Sequence, residues 1–327
     1  MKLRLSRRDL IPATGLAITA GYASMKKSES SPPLERAGGG ASPVAIIKAK
    51  DYSEDLVRPM LDGIRACGLE VRGKTVLLKP NLVEFDRETA INTDPRVVAA
   101  AYDAFRSLGA AAVWIGEGPG HRRDTLEIAR QAGYPEAIPR FESMFTDLNR
   151  DDVTEVRGFA DEDGVFLPNT ALRADLIVSL AKMKTHHWAG ATLTMKNLFG
   201  LVPGSVYGWP KNKLHYIGIA RSILELNRVF SNTFGIVDGI VGMEGNGPIQ
   251  GKPKQCGVLV FGKDLRAVDA SCCRVMGIGP EKVGYLRDAA LLGRITAERI
   301  EQRGERIADV RQQFELIEQF AGLRAHA

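Results

Sequence analysis

The feature that most constrains this chain is an alternation over residues 44–133, where short apolar runs of strand type are followed by helix-length amphipathic stretches closed by glycine. Val44-Ala-Ile-Ile-Lys48 reads as a strand, and residues 53–67 as a helix stopped at Gly68. Thr75-Val-Leu-Leu-Lys79 is a second strand, and the helix over 95–108 enters at Pro95 and leaves at Gly109. Ala112-Val-Trp-Ile-Gly116 and the helix over 124–132, closed by Gly133, complete the pattern. Strands separated by helices of this length pair in parallel through right-handed crossovers. The fold class expected is therefore α/β, a mostly parallel, doubly wound sheet with helices on both faces.

The second half repeats the pattern less regularly. Strands are expected at 175–180, 234–238 and 256–261, with helices over 214–230, 265–276, 280–292 and 305–320. Residues 145–172 are polar and weakly patterned, which predicts short edge strands or a small inserted lobe. No fixed-period repeat is present.

The formal charge of +5 invites a nucleic-acid reading until its distribution is considered. Residues 1–23 hold Lys2, Arg4, Arg7 and Arg8 against Asp9 alone, so most of the excess sits there. The remaining basic residues are dispersed, aromatics are only 7%, and no stacking motif is visible, so no nucleic-acid partner is expected. Ser6-Arg7-Arg8, with Leu10 and a weakly apolar stretch to Ala23, resembles a twin-arginine export signal. That stretch is shorter than the ~20 residues of a membrane span, so no stable span is expected. The resulting division is a signal over 1–23, a flexible linker over 24–43 rich in Ser, Pro, Gly and Lys, and an α/β domain over 44–327. The signal implies export by the twin-arginine translocation machinery, after folding in the cytoplasm, to a periplasmic or other extracytoplasmic location. Cys67, Cys256, Cys272 and Cys273 show no C-x-x-C spacing, so no iron-sulfur cluster held by this chain's own cysteines is expected.

In open parallel sheets ligands bind beyond the carboxyl ends of the strands, and the unusual residues fall there repeatedly. Lys79-Pro80-Asn81 follows one strand, and Gly116-Glu-Gly118-Pro-Gly120 with His121, Arg122 and Arg123 follows the next. Lys182-Met-Lys184-Thr185-His186-His187 follows the strand at 175, and Asp238 with Glu244-Gly-Asn-Gly-Pro248 follows that at 234. The glycines of 116–120 match neither a dinucleotide fingerprint nor a P-loop and serve equally as a tight turn. If residues 191–199 are helical, Thr192 and Lys196 share a face, and the first turn could hold an anion beside Thr194 and Asn197. A lysine there can act as a base or clamp a carboxylate or phosphate, whereas a merely solvated loop would not carry Trp188, Leu193, Met195 and Leu198. A metal site from His186 with His215 or His121 stays open, as does the choice between ligand, acid-base and turn-capping roles for Asp238 and Glu244.

Lys79-Pro-Asn81, Gly116 to Gly120, Lys182 to His186, Thr194-Met-Lys196-Asn197-Leu-Phe-Gly200, Asp238 through Pro248, and Gly262-Lys-Asp264 with Asp269 together resemble the DUF362 domain family over about residues 44–290. The pair K-x-K-T-H and M-K-N-x-x-G is the most specific part. Many relatives carry a ferredoxin-like cysteine cluster that this chain lacks. The expectation is an enzyme binding a small anionic substrate or cofactor. Its catalytic candidates are Lys184, His186, Lys196, Asp238 and Glu244. Its binding candidates are Lys79, Asn81, Gly116, Gly118, Gly120, Thr185, Thr194 and Asn197. The alternative is a non-catalytic metal or cofactor carrier, or redox accessory protein, exported folded.

Overall fold

The computed structural model describes residues 40–120, 124–160, 162–289 and 295–325. The signal over 1–23, the linker up to 39 and His121 to Arg123 lie outside the described residues. The expected linker nonetheless ends early, because Ser42 and Pro43 already belong to β1 (Ser42–Lys48).

Nine strands form one mixed, mostly parallel sheet. After β1 come α1 (Val57–Ala66), β2 (Thr75–Lys79), α2 (Pro95–Ser107), β3 (Ala112–Glu117), α3 (Thr125–Gln131) and β4 (Phe145–Asp147). β5 (Val153–Phe159) and β6 (Glu162–Pro168) form a separate antiparallel hairpin within the polar stretch. β7 (Leu176–His186), β8 (Gly190–Thr192), β9 (Thr233–Glu244), β10 (Lys252–Gly262) and β11 (Ile300–Gly304) complete the set. The order is β11-β1-β10-β9-β7-β2-β3-β4, with β8 on the extension of β7. β9, β7, β2, β3 and β4 run parallel, whereas β10 is antiparallel to both β1 and β9.

Side chains alternate across the sheet as strand geometry requires. Leu77, Ile177, Val237 and Val260 enter one core, and Val76, Leu78, Val178, Ile236 and Phe261 the other. α1, α2 and α3 cover the second face through Met60, Ile64, Val97, Phe105 and Ile128. The first face is covered by the later helices: α4 (Thr194–Asn197), α5 (Asn212–Ile217), α6 (Ile219–Val229) and α7 (Leu265–Val275). α2, α3 and α7 start at Asp94, Asp124 and Asp264, each of which accepts a backbone N–H at its helix entrance.

Several expectations require correction. β7 and β9 run past their expected ends, to His186 and Glu244, so Lys182, Lys184 and Asp238 lie within strands rather than beyond them. β7 is buried along its whole length, lysines included. The helix over 191–199 resolves into β8, the single turn of α4 and a 3-10 turn, Leu198–Leu201. The helix over 214–230 breaks at Gly218, whose φ of 98° is incompatible with helix continuation. In place of the helix expected over 280–292, the described part forms a 3-10 turn, Pro280–Lys282, and a short helix, Gly284–Ala289, and residues 290–292 lie outside the described residues. Of the helix expected over 305–320 only the turn Ile307–Val310 and the start of a 3-10 stretch, Glu318–Leu323, form. There the apolar residues Val310 and Phe314 plug the core from an otherwise irregular segment.

Candidate functional site

A cavity of about 430 Å³ opens where β2, β3 and β7 end, within the roughly 300–1,000 Å³ of small-molecule sites. Four lysines line it: Lys79, Lys184, Lys196 and Lys211. Lys79, the last residue of β2, is fully buried and lies 2.6 Å from Glu117 at the end of β3. Its amine also donates to the carbonyl of Pro80 and to Asn197 Oδ1, which uses all three of its hydrogens. Glu117 in turn accepts from the Leu82 and Gly118 N–H groups. Gly200 is required beside this pair, because a Cβ there would overlap Glu117 Oε1 and crowd Lys79 Nζ. The pair is thus neutralised and internally satisfied.

The other three amines have no carboxylate partner among the described residues. Lys184 is fully buried and donates to the carbonyls of Ile91, 2.9 Å away, and Pro248, 3.4 Å away. Burial first, then Lys196 and Lys182, holds its pKa well below the ordinary lysine value. Lys211 donates to the carbonyls of Gly118 and Phe199, and burial lowers its pKa to about 7, with Glu117 opposing. Its backbone sits at φ 62°, a left-handed conformation that costs a side-chain-bearing residue on the order of 1–3 kcal/mol. Lys196, on α4, makes no hydrogen bond to the described residues, and its amine lies 4.1 Å from the centre of the Phe199 ring. The ring face favours the ammonium form, but burial and Lys79 lower its pKa to about 8.

Two further polar atoms on the cavity wall, Asn81 Oδ1 and Thr192 Oγ1, are buried without a partner among the described residues. A buried polar group left unpaired costs about 1–3 kcal/mol, so each is open to a hydrogen bond from a water or a ligand in the cavity. His186, at the end of β7, accepts the Trp188 and Ala189 N–H groups on Nδ1. Burial, followed by the charge of Lys196, pushes its pKa far down and keeps the ring neutral, so the proton resides on Nε2. His187 has the opposite arrangement: its Nδ1 lies 2.7 Å from the Gly247 carbonyl and must donate, which leaves Nε2 as the acceptor while the ring is neutral. The two rings stack at 5.1 Å, and Trp188, 61% exposed, stands over them at the mouth with His215 against it. Apolar walls come from Leu82, Phe199, Ile219 and Ile249.

Of the residues singled out in the sequence, Lys79, Asn81, Gly118, Gly120, Lys184, His186, Lys196 and Asn197 line this cavity. Gly116, Thr185 and Thr194 do not. Gly116 packs beside Leu148 and Leu77. Thr185 points the other way on β7, to the Gly245 carbonyl. Thr194 is bound to Asp269, which also accepts the Thr194 and Met195 N–H groups and the Tyr285 hydroxyl. The expected anion site at that helix start is therefore already filled by Asp269, and α4 is one turn long. Burial raises the pKa of Asp269 to about 7 against these hydrogen bonds.

Asp238 and Glu244 also lie apart from the cavity. Asp238 is fully buried, 2.7 Å from Lys182, and accepts from Tyr52, Asp94 N and Ile240 N. Lys182 and Tyr52 face a second cavity of about 470 Å³ on the other side of the segment 82–94. Glu244 bonds Lys254 and the Glu315 N–H. No group of three or more His, Cys, Asp or Glu among the described residues is arranged to hold a metal. Sequence reasoning missed Glu117 and Lys211. The first was hidden between glycines, and the second sits in Gly208-Trp209-Pro210-Lys211, where nothing signals that its amine turns inward.

The model of the family described as "Domain of unknown function (DUF362)" matches residues 76–274. A thylakoid-associated protein of Synechocystis sp. is 28% identical over 267 residues, 76% of this chain and 79% of that protein. Among solved structures, the lactate racemase apoprotein of Thermoanaerobacterium thermosaccharolyticum overlays with a TM-score of 0.47 at 14% identity, over 75% of this chain. A structural-genomics protein of Thermotoga maritima overlays with a TM-score of 0.36 at 15% identity, over 66% of this chain. The chain spans 58% of the length of each of these two structures.

Proposed function

The chain belongs to the DUF362 family, and on that premise we propose that it is an enzyme whose cavity binds a small anionic substrate or cofactor through Lys184, Lys196 and Lys211. One observation carries this reading: three amines without a carboxylate partner among the described residues are gathered in one cavity, where the carboxylate of Glu117 is paired with Lys79, beside two buried polar atoms that lack a partner among those residues. Burying like charges together is costly, and the cost is recovered only when a counter-charge arrives. In their ammonium form, which an arriving anion favours, the amines of Lys184 and Lys211 each give two hydrogens to backbone carbonyls and keep one for a ligand. Thr192 can donate to an anion, and Asn81 Oδ1 can accept from a hydroxyl or amine of the same molecule. His186 offers an N–H that can donate a hydrogen bond to the ligand, and His187, whose Nδ1 faces the Gly247 carbonyl, presents its Nε2 beside it.

The test is a thermal shift and calorimetric titration of the folded protein with phosphate, oxalate and pyruvate at pH 7. A raised Tm that Lys184→Met abolishes is expected, and no response to any of these anions would overturn the reading. Native purification separates an enzyme from a carrier: a carrier keeps one ligand per chain and leaves it unchanged, whereas an enzyme converts it. We also propose that residues 1–23 direct export of the folded protein. Replacing Arg7 and Arg8 by Lys should then retain it in the cytoplasm, as fractionation would show.

A further inference from the structure

We propose that Lys196 captures the ligand covalently, its amine forming an imine with the carbonyl carbon of an anionic aldehyde or ketone. This rests on the anion-binding reading above and narrows it to carbonyl compounds.

The argument begins with counting hydrogens. An ammonium has three N–H groups, whereas an imine nitrogen keeps at most one. A lysine whose hydrogens are engaged by the protein therefore loses those bonds on reacting. Lys79 would lose contacts to Glu117, Pro80 and Asn197, and a buried Glu117 would be left without its counter-charge. Lys184 would give up at least one bond to the carbonyls of Ile91 and Pro248, and Lys211 one to those of Gly118 and Phe199. Lys196 alone among the four has nothing to lose to the described residues, since its amine meets only the face of Phe199 and the cavity. It is also the pocket lysine most accessible from solvent. A lowered pKa supplies unprotonated amine near neutral pH, which an ordinary lysine does not.

The surroundings suit the rest of such a ligand. The amines of Lys184 and Lys211 can hold its anionic group, and the Nε2–H of His186 can polarise the carbonyl oxygen. Phe199, Ile219 and Trp188 offer apolar and aromatic surface to a chain or ring. The chemistry balances without oxidant or reductant. The Nζ lone pair attacks the carbonyl carbon, both amine protons pass to the carbonyl oxygen, and that oxygen leaves as water while C=N replaces C=O.

The full chain is incubated at pH 7.5 with pyruvate, or with pyridoxal 5′-phosphate as an aromatic anionic aldehyde, in the presence of sodium cyanoborohydride. Adducts are read by intact mass and peptide mapping. One adduct per chain is expected, mapped to Lys196 at least tenfold above any exposed lysine and suppressed by excess oxalate or phosphate. Lys196→Met should lose it while keeping a cooperative thermal transition. Adducts spread over exposed lysines, or a pocket adduct that persists in Lys196→Met, would overturn the proposal. Oxalate or phosphate raising Tm without any Lys196 adduct sinks the imine and leaves the anion pocket standing. Absence of both effects sinks both.

Discussion

At the scale of single residues, the cavity lysines trade stability for charge. The pKa of Lys196 falls to about 8 and that of Lys211 to about 7, from 10.5, chiefly through burial. Between these folded values and 10.5 the unfolded chain binds more protons than the folded one, so these lysines make stability rise with pH across that window. Below about pH 7 their destabilisation is fully present. Lys211→Met should therefore raise Tm at pH 7, and its advantage over the parent should shrink as pH approaches 10.5, as paired thermal melts across pH 6–10.5 would show. The same variant should lose anion binding, because it removes one of the three amines that have no carboxylate partner among the described residues. A gain in stability bought by loss of a site is the usual mark of a functional charge. A lower Tm at pH 7 would show that Lys211 is instead a structural donor to Gly118 and Phe199.

At the scale of elements, β7 does two separate jobs. Its far end delivers Lys184 and His186 to the cavity, while Lys182, two residues earlier, clamps Asp238 of β9 beneath Tyr52 and the Asp94 N–H at the entrance to α2. Removing one partner of a buried pair leaves the other charged and unpaired, which costs about 3–5 kcal/mol. Asp238→Asn should lower unfolding free energy by about that amount in urea titrations, while anion affinity of the folded fraction stays within about twofold. A parallel loss of affinity would mean the clamp reaches the cavity. This division was illegible in the sequence for a definite reason. Hydropathy takes a lysine as a strand's end, yet Lys182 and Lys184 are buried and the strand continues to His186. The reverse error occurs at 305–320, where apolar spacing imitates a helix but Val310 and Phe314 act as separate plugs. The helices around 95–107 and 265–275 were legible because a capping aspartate and a 3.6-residue period agreed, and that around 57–66 because its period runs into the stop at Gly68.

At the scale of the molecule, strand ends brought together by parallel pairing set the cavity's place, and this much follows from the alternation of strands and helices alone. The antiparallel insertion of β10 between β1 and β9 did not follow, since it depends on β1 pairing with a strand over two hundred residues away. Nor did the separation of the two cavities, which depends on the segment between β2 and α2. That segment is pinned at its base, where Asn81 and Thr93 bond each other and the Thr93 hydroxyl bonds the Leu180 carbonyl. Its tip is held by Thr89 to the Gly251 carbonyl, and Lys184 reaches the Ile91 carbonyl from beneath. A ligand drawing on Lys184 and Asn81 would therefore bear on both the segment and the loop over 245–251. Local opening is suppressed where a ligand adds contacts to the closed form alone. Hydrogen exchange followed by mass spectrometry should slow in residues 82–94 and 245–251 when phosphate or pyruvate is bound. The β5–β6 hairpin, outside the main sheet, should exchange as before. Protection confined to the hairpin, or spread evenly over the chain, would place the ligand elsewhere and break the link between this segment and the three lysines.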